Sequence, residues 1–325
     1  MQEEISFLVS QYTNLEVGIK NITEVTRGYL SKNFIIETAS GKYFLKQYRT
    51  KDQKRIEDIQ AVKQFFYSHG IPVVLPILNK RDERLIKIND DFYSLFPFVS
   101  GFHFSEGKVP LQTVESLGEM LGRIHKAGEN GYPEIGTSLK SWNKQEFFKN
   151  ADNLLKTIRT KSEKTNFDHK ALQAIQLKKE LVEKEGISYE NLGNLQRGLI
   201  HGDYHNENVF FSENGNVTYV FDFERTTIAP FVYEIVRAIR YSYVTGYGKK
   251  GSEKLVKEFI RSYRLNREVS KEELEAGEVI FYQNAIYGLW VEKEHYLKNN
   301  PRADSLLSTA EDLINLKCSS LIHGS

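Results

Sequence analysis

Leu199-Ile200-His201-Gly202-Asp203-Tyr204-His205-Asn206-Glu207-Asn208 is the stretch whose reading decides the fold. An apolar pair runs directly into imidazole, carboxylate and carboxamide side chains. A second signal follows in Val217-Thr218-Tyr219-Val220-Phe221-Asp222-Phe223-Glu224, a β-rich apolar run with a carboxylate inside it. Between the two lie Val209-Phe210-Phe211 and the turn Glu213-Asn214-Gly215-Asn216. Asn-Gly flanked by apolar runs is a strong hairpin signal. The spacing predicts two paired strands that bring Asn208 and Asp222 side by side at one end. A carboxamide and a carboxylate so placed can share a cation. If the second strand continues, Glu224 shares a face with Asp222, either as an auxiliary metal group or as a solvent-facing strand end.

On the N-terminal side the pattern changes. Ile5, Leu8, Val9, Tyr12 and Leu15 are spaced for one face of a helix over residues 3–17. Ile22–Thr26, Asn33–Thr38 and Lys42–Tyr48 are then β-rich, with a tight turn at Ser40-Gly41, and predict an antiparallel meander. Within Tyr43-Phe44-Leu45-Lys46-Gln47-Tyr48, alternation puts Lys46 on the same face as Phe44. A charge on an inward face is costly unless it is paired or bound to an anion. The competing reading is an edge-strand lysine reaching out to water. A helix follows through Ile56, Ile59, Val62, Lys63 and Phe66 and stops at His69-Gly70-Ile71-Pro72. Val73–Leu78 and Arg84–Ile88 read as strands, and Asp91–Val99 as a further strand.

From residue 111 the chain turns helical. Leu111, Val114, Leu117, Leu121 and Ile124 form one stripe, and Gly118 and Gly122 permit close packing. His125 at its end reads as a satisfied structural histidine. Residues 143–186 give charged helices with apolar stripes; their lysines alternate with acids, as on a solvated face rather than a nucleic-acid track. Pro230–Val244 resumes a helix. Glu278–Leu297 gives another, with Val279, Tyr282, Ala285, Ile286, Leu289 and Trp290 on one core stripe.

The 325 residues suffice for a full core, as one large domain or two lobes. A net charge of +1, from 44 basic and 43 acidic residues, gives no global pull toward nucleic acid or an anionic membrane. The single Cys318 excludes an internal disulfide and a multi-cysteine zinc site. Met1-Gln2-Glu3-Glu4 lacks a signal-peptide core, and no apolar run approaches the ~20 residues that span a bilayer. The expectation is a cytoplasmic protein.

His201-Gly202-Asp203 with Asn208, a hairpin, and Phe221-Asp222-Phe223-Glu224 together resemble the phosphotransferases of small alcohols that share the protein-kinase fold. These include aminoglycoside phosphotransferases, choline and homoserine kinases of this fold, and related sugar kinases. The resemblance implies a bilobal α+β fold, with a small antiparallel-sheet lobe over residues 1–99 and a mainly helical lobe over 100–325. In the kinase template a catalytic-loop Asp accepts the hydroxyl proton, and an Asn and a second Asp hold magnesium. Carried over, Asp203 is the base, Asn208 and Asp222 are the metal ligands, and His201 braces the loop. Lys46 points at the nucleotide phosphates, held by a helix carboxylate, Glu57 or else Asp58. The loop Arg27-Gly28-Tyr29-Leu30-Ser31 covers those phosphates, with Ser31 as a contact, although it carries one glycine where protein kinases carry G-x-G-x-x-G. The adenine meets the backbone of Phe98 or Val99, since Pro97 has no N–H. The implied cofactors are ATP and Mg2+. The implied partner is a small-molecule alcohol such as an amino alcohol, a sugar or an aminoglycoside-like compound, with no nucleic acid and no membrane.

Two other classes compete. His201, Asp203 and His205 at alternate positions also fit a metal-dependent hydrolase. A catalytically silent kinase-like scaffold or coat protein is the third reading, against which Lys46, Asp203, Asn208 and Asp222 are all retained. The acceptor stays open. Glu272, Glu273, Glu275, Glu278, Glu292 and Glu294 suit either a cationic acceptor or a solvated helix, whereas Arg225, Arg237 or Arg240 suit a carboxylate-bearing one.

Overall fold

The computed structural model describes residues 2–12, 18–25, 32–104, 109–139, 142–187 and 192–318. The β-rich N-terminal segments form a five-stranded antiparallel sheet in the order β1-β2-β3-β5-β4. Its strands are β1 (Ile19–Val25), β2 (Lys32–Thr38), β3 (Gly41–Gln47), β4 (Ile86–Ile88) and β5 (Asp91–Pro97). Helix α1 (Gln2–Ser10) lays Ile5, Leu8 and Val9 on one face of this sheet, against Phe34, Ile36, Leu45, Tyr93 and Leu95. Each such side chain, fully buried, contributes about 1.5–3 kcal/mol. Alternation then sends Phe44, Lys46, Ser94 and Phe96 to the opposite face; Lys46 stands opposite Ser94 in the ladder, and Phe44 opposite Phe96.

That opposite face meets α2 (Gln53–Ser68). Asp52 caps the helix by accepting from the Arg55 amide at 3.2 Å. It ends where Gly70 takes φ +75°, a conformation that suits glycine. Ile56 packs on the sheet side with Tyr48 and Phe92. Ile59, Val62 and Phe66 instead join the core of the helical part. The Arg55 guanidinium adds a polar tie, donating to the carbonyls of Glu224 at 2.8 Å and Thr226 at 2.9 Å.

Beyond residue 110 the fold is mainly helical, in α3 (Leu111–Ala127), α4 (Lys144–Arg159), α5 (Asn166–Glu185), α6 (Phe231–Ile239), α7 (Thr245–Tyr263), α8 (Lys271–Tyr287), α9 (Trp290–Lys298) and α10 (Ala310–Cys318). Two short antiparallel pairs are set into it: β6 (Arg197–Ile200) with β9 (Thr227–Pro230), and β7 (Val209–Phe211) with β8 (Val217–Val220). Among the described residues no helix is long and apolar enough to cross a membrane.

The α+β class and the sheet-then-helices order agree with the sequence reading, but several elements differ. Val73–Leu78 is not a strand: Pro72 and Pro76 lack ladder donors, and only Val73 makes an isolated bridge, to Val220. Arg84–Ile88 shrinks to β4. Helix α1 ends at Ser10, and residues 13–17 of the predicted helix, Leu15 included, lie outside the described residues. The predicted helix over Glu278–Leu297 is broken at Gly288-Leu289 into α8 and α9, so its stripe does not stay on one face. Val279 and Trp290 are exposed rather than core.

Gly118 and Gly122 on α3 do face α7 closely. A Cβ on Gly118 would lie 2.4 Å from the Phe259 carbonyl oxygen, and one on Gly122 would lie 2.6 Å from that of Tyr263. Gly→Ala inside a helix ordinarily gains about 1 kcal/mol. Gly118→Ala should instead lose about 1–3 kcal/mol in urea unfolding with an unchanged m-value, because the helices must separate.

Candidate active site

The stretch after β6 is a loop, and a buried carboxylate shapes it. Glu234 on α6 is fully buried. It accepts from the backbone N–H of His201 at 3.0 Å, of Tyr204 at 3.4 Å and of Gly202, and from His125 Nε2 at 3.0 Å. Burial opposes its ionisation, but the His125 hydrogen bond and the loop amides outweigh it and hold its pKa below the usual glutamate value. His125 lies under the same loop, and burial pushes its pKa down, so it serves as a neutral donor; its Nδ1 accepts from the Tyr263 hydroxyl at 3.0 Å. Gly202 sits at φ +85°, and a Cβ there would meet the Arg225 carbonyl oxygen at 2.0 Å. Past α6 the helix opens into a π-helical turn, Arg240–Val244, from which Ser242 Oγ accepts the Asn206 amide at 3.2 Å.

This frame leaves Asp203 partly exposed, beside Arg237, whose guanidinium donates to it. Arg225 Nη1 stands 4.0 Å away and His205 Nε2 3.9 Å. Burial raises the Asp203 pKa, but Arg237 and Arg225 outweigh it and keep the group below the ordinary range. Asn208 Nδ2 donates to the Asp203 carbonyl at 2.7 Å, leaving its amide oxygen uncommitted. The hairpin forms as the Asn-Gly signal predicts. Gly215 takes φ +80°, and the Phe221 amide bonds the Asn208 carbonyl at 3.1 Å, so Asn208 and Asp222 do flank its open end.

The strand does not continue through Asp222. It ends at Val220; Asp222 adopts φ 63°, ψ 60°, and Phe223–Arg225 form a 3-10 turn. A non-glycine residue in that region costs of order 1–3 kcal/mol. The kink aims Glu224 back at the sheet. Its Oε1 stands 2.6 Å from Lys46 Nζ, and Asp222 Oδ1 stands 3.9 Å from it. Burial pushes the Lys46 ammonium down, but Glu224 and then Asp222 more than compensate and hold its pKa above the ordinary lysine range. Lys46 is thus on an inward face and paired, though not by α2. Glu57 is exposed and bonded to Gln53, because its position faces away from the sheet; buried Asp58 pairs with Lys54 at 2.8 Å. Asp222, Glu224 and Asn208 are all hard-oxygen donor types.

The arginines separate. Arg237 and Arg225 attend Asp203, while Arg240 pairs with Glu278 at 3.4 Å. Arg225 lies 5.9 Å from the Trp290 ring and Arg237 4.6 Å from that of Tyr241, an aromatic edge that the core reading of Trp290 missed. The acidic run builds no pocket of its own. Glu273 caps α8, Glu292 pairs with Lys178 and Glu294 with Arg49 and Lys298, while Glu272 and Glu275 are exposed. The hydrolase triad does not assemble. Both nitrogens of His201 are committed, Nε2 to the Phe221 carbonyl at 2.9 Å and Nδ1 to the Asp203 amide at 3.2 Å. No group of three His, Cys, Asp or Glu among the described residues is arranged to hold a metal. At the end of β5 the Phe98 amide is taken by the Lys42 carbonyl at 3.3 Å. Ser31 and its loop lie outside the described residues.

The phosphotransferase enzyme family matches residues 21–273. Homoserine kinase of Caulobacter vibrioides (strain NA1000 / CB15N) is 25% identical over 242 residues, 72% of this chain and 68% of its own length. Homoserine kinase of Caulobacter sp. (strain K31) is 26% identical over 240 residues, 72% of this chain and 67% of its own. Spectinomycin phosphotransferase, solved with ADP and spectinomycin, superposes with a TM-score of 0.64 at 16% identity, over 99% of this chain and 96% of that one. The microcompartment-associated aminopropanol kinase gives 0.59 at 14% identity, over 98% and 94%. These two likenesses show a shared fold.

The buried His125 generates a pH dependence of stability. Its folded pKa is depressed below the ordinary 6.5, so the unfolded chain binds the extra proton. Its contribution is present above the unfolded pKa and is lost as pH falls. Urea unfolding free energies of the native chain should decline from about pH 7 to about pH 5, and His125→Gln should flatten that slope.

Proposed function

Because this chain belongs to the phosphotransferase enzyme family and is a small-molecule kinase, we propose that it moves the γ-phosphoryl group of ATP to a hydroxyl of a carboxylate-bearing small molecule. The observation that carries this reading is the Asn208 side chain, bonded to the Asp203 carbonyl at the base of the hairpin whose far strand leads into Asp222. One hydrogen bond thereby ties a proton acceptor to a metal-binding pair.

Asp203 is the base. The guanidiniums keep it ionised, and a carboxylate of ordinary or low basicity suffices because the loose transition state demands little proton transfer. The acceptor oxygen bonds to the γ-phosphorus, the bond to the β–γ bridging oxygen breaks, and Asp203 receives the hydroxyl proton. Lys46 turns from Glu224 to the nucleotide phosphates. With the Phe98 N–H already engaged, Val99 is the backbone donor for adenine, and Ser31 belongs to the loop over the phosphates. The residues fit a divalent ion: the ammonium of Lys46 already stands as a cation beside Glu224 and Asp222. Asp222 and Asn208 would hold magnesium, which when bound neutralises charge on the phosphate oxygens. We divide the chain near Val99 into a nucleotide lobe, 1–99, and a helical lobe, 100–325, and place the protein in the cytoplasm, where a lone cysteine stays reduced.

For the acceptor, the charge beside Asp203 is decisive. A polycationic aminoglycoside would face Arg225 and Arg237, two like charges, whereas a hydroxylated amino acid would offer them its carboxylate. The homoserine kinases among the relatives support the second.

In an ADP-release assay with a panel of hydroxy amino acids, amino alcohols, sugars and aminoglycosides, turnover should appear with the first class. Asp203→Asn should lower kcat by about a thousandfold or more while nucleotide affinity survives; turnover within a few-fold of wild type would remove Asp203 from this role. Arg225→Ala should raise the KM for the carboxylate acceptor about tenfold or more, as loss of a charged hydrogen bond does, with the KM for ATP little changed.

A further inference from the structure

In the kinase template the partner of the strand lysine sits on the neighbouring helix, and here α2 supplies no such group. Glu57 and Asp58 are engaged elsewhere, and Gln60, on the face toward the sheet, donates to Ser94 Oγ at 3.2 Å. One turn further on stands a second cation, Lys63. It is buried, 9% exposed, on the same side of the sheet as Lys46. Its ammonium lies 4.2 Å from the centroid of the Phe96 ring, and no carboxylate among the described residues stands within ion-pair distance of it.

A buried ammonium with only an aromatic ring for company is costly to keep. Burial, and then the charge of Lys46, push its pKa down to about 7, while Glu224 and Asp222 act in the opposite direction. Lys63 also lies on the face of α2 between Gln60, which meets Ser94, and Phe66, which packs against Phe223, so it faces both the strand beside Lys46 and the segment that carries Asp222 and Glu224. When phosphates draw Lys46 away, Glu224 loses its partner at 2.6 Å and is left as a half-buried anion next to a polyphosphate. That arrangement repels the nucleotide unless another cation reaches the carboxylate.

We propose that Lys63 is a positioning residue that takes Glu224 over from Lys46 when the nucleotide phosphates engage Lys46. The inference rests on the kinase reading above. The handover moves one ion pair and neither makes nor breaks a covalent bond. It makes the helix cation the complement of the acid two residues past Asp222, an inverted form of the usual strand-lysine and helix-carboxylate pair.

The test uses the full chain, calorimetric titration with the ATP analogue AMP-PNP and magnesium, and melting temperatures with and without nucleotide. Lys63→Met keeps the packing on Phe96 and removes the charge. It should weaken nucleotide affinity about tenfold, and Lys63→Arg should recover most of that. Without nucleotide, Lys63→Met should melt no lower than wild type, since it removes an unpaired buried charge. In the Glu224→Gln background the further effect of Lys63→Met should vanish, because the carboxylate it serves is gone. Wild-type affinity in Lys63→Met, or equal losses in both backgrounds, would overturn the handover. A large drop in the nucleotide-free melting temperature would mark Lys63 as structural and overturn it too. If the wild-type chain itself bound no nucleotide, the kinase reading would fall instead, and the two failures are distinguishable.

Discussion

One fully buried carboxylate, on Glu234, carries the geometry of the active loop. Three loop amides and an imidazole converge on it, and no water is needed to satisfy them. A charge that deep is tolerable only because each lone-pair direction has a donor. In return the loop has no freedom to slide, since moving any of His201, Gly202 or Tyr204 would strand a backbone N–H away from water. Asp203, alone in that run in leaving Glu234 unused, is thereby turned outward. The position of the Asp203 carboxylate is a by-product of how its neighbours are held.

Charge around the site is sorted into two environments. Asp203 is ringed by guanidiniums from Arg237 and Arg225, while Asp222 and Glu224 share an ammonium. The sorting follows chemistry. A planar guanidinium pairs with carboxylates and holds its charge at any working pH, whereas an ammonium is a point charge suited to leave one anion for another. The first environment is fixed and the second exchangeable. The αL turn at Asp222 keeps them apart by ending the strand early and sending Glu224 toward the sheet.

Much of this was legible in the sequence because its signals are local. Asn214-Gly215 fixed the hairpin, the alternation around Lys46 gave its inward face, and the glycine spacing on α3 gave the close approach to α7. What was not legible depends on which side of a helix faces which neighbour. Two adjacent acids, Glu57 and Asp58, offered themselves for Lys46, yet helical geometry turns one outward and pairs the other locally. The true partner lies 178 residues away in sequence, beyond any periodicity, and is reached through a backbone turn that an aspartate has no local need to adopt. Trp290 misled for a similar reason. A continuous stripe assumes a continuous helix, and Gly288-Leu289 interrupts it. The arginines were visible as types but not as places, since Arg225 and Arg237 converge only after the chain has folded back on itself.

The Arg55 guanidinium clasps the carbonyls of Glu224 and Thr226, and Phe66 of the same helix packs against Phe223 with ring centroids 5.7 Å apart. Helix α2 and the segment after Asp222 are therefore tied by both polar and aromatic contacts. Against the sheet, by contrast, α2 offers the small cluster of Ile56, Tyr48 and Phe92 and a few polar contacts. Within the 1–99 segment, the sparser packing of α2 is thus the side it turns to the sheet. A breathing motion that admits a ligand would lift Lys46 from its acids while leaving Lys63 in register with them.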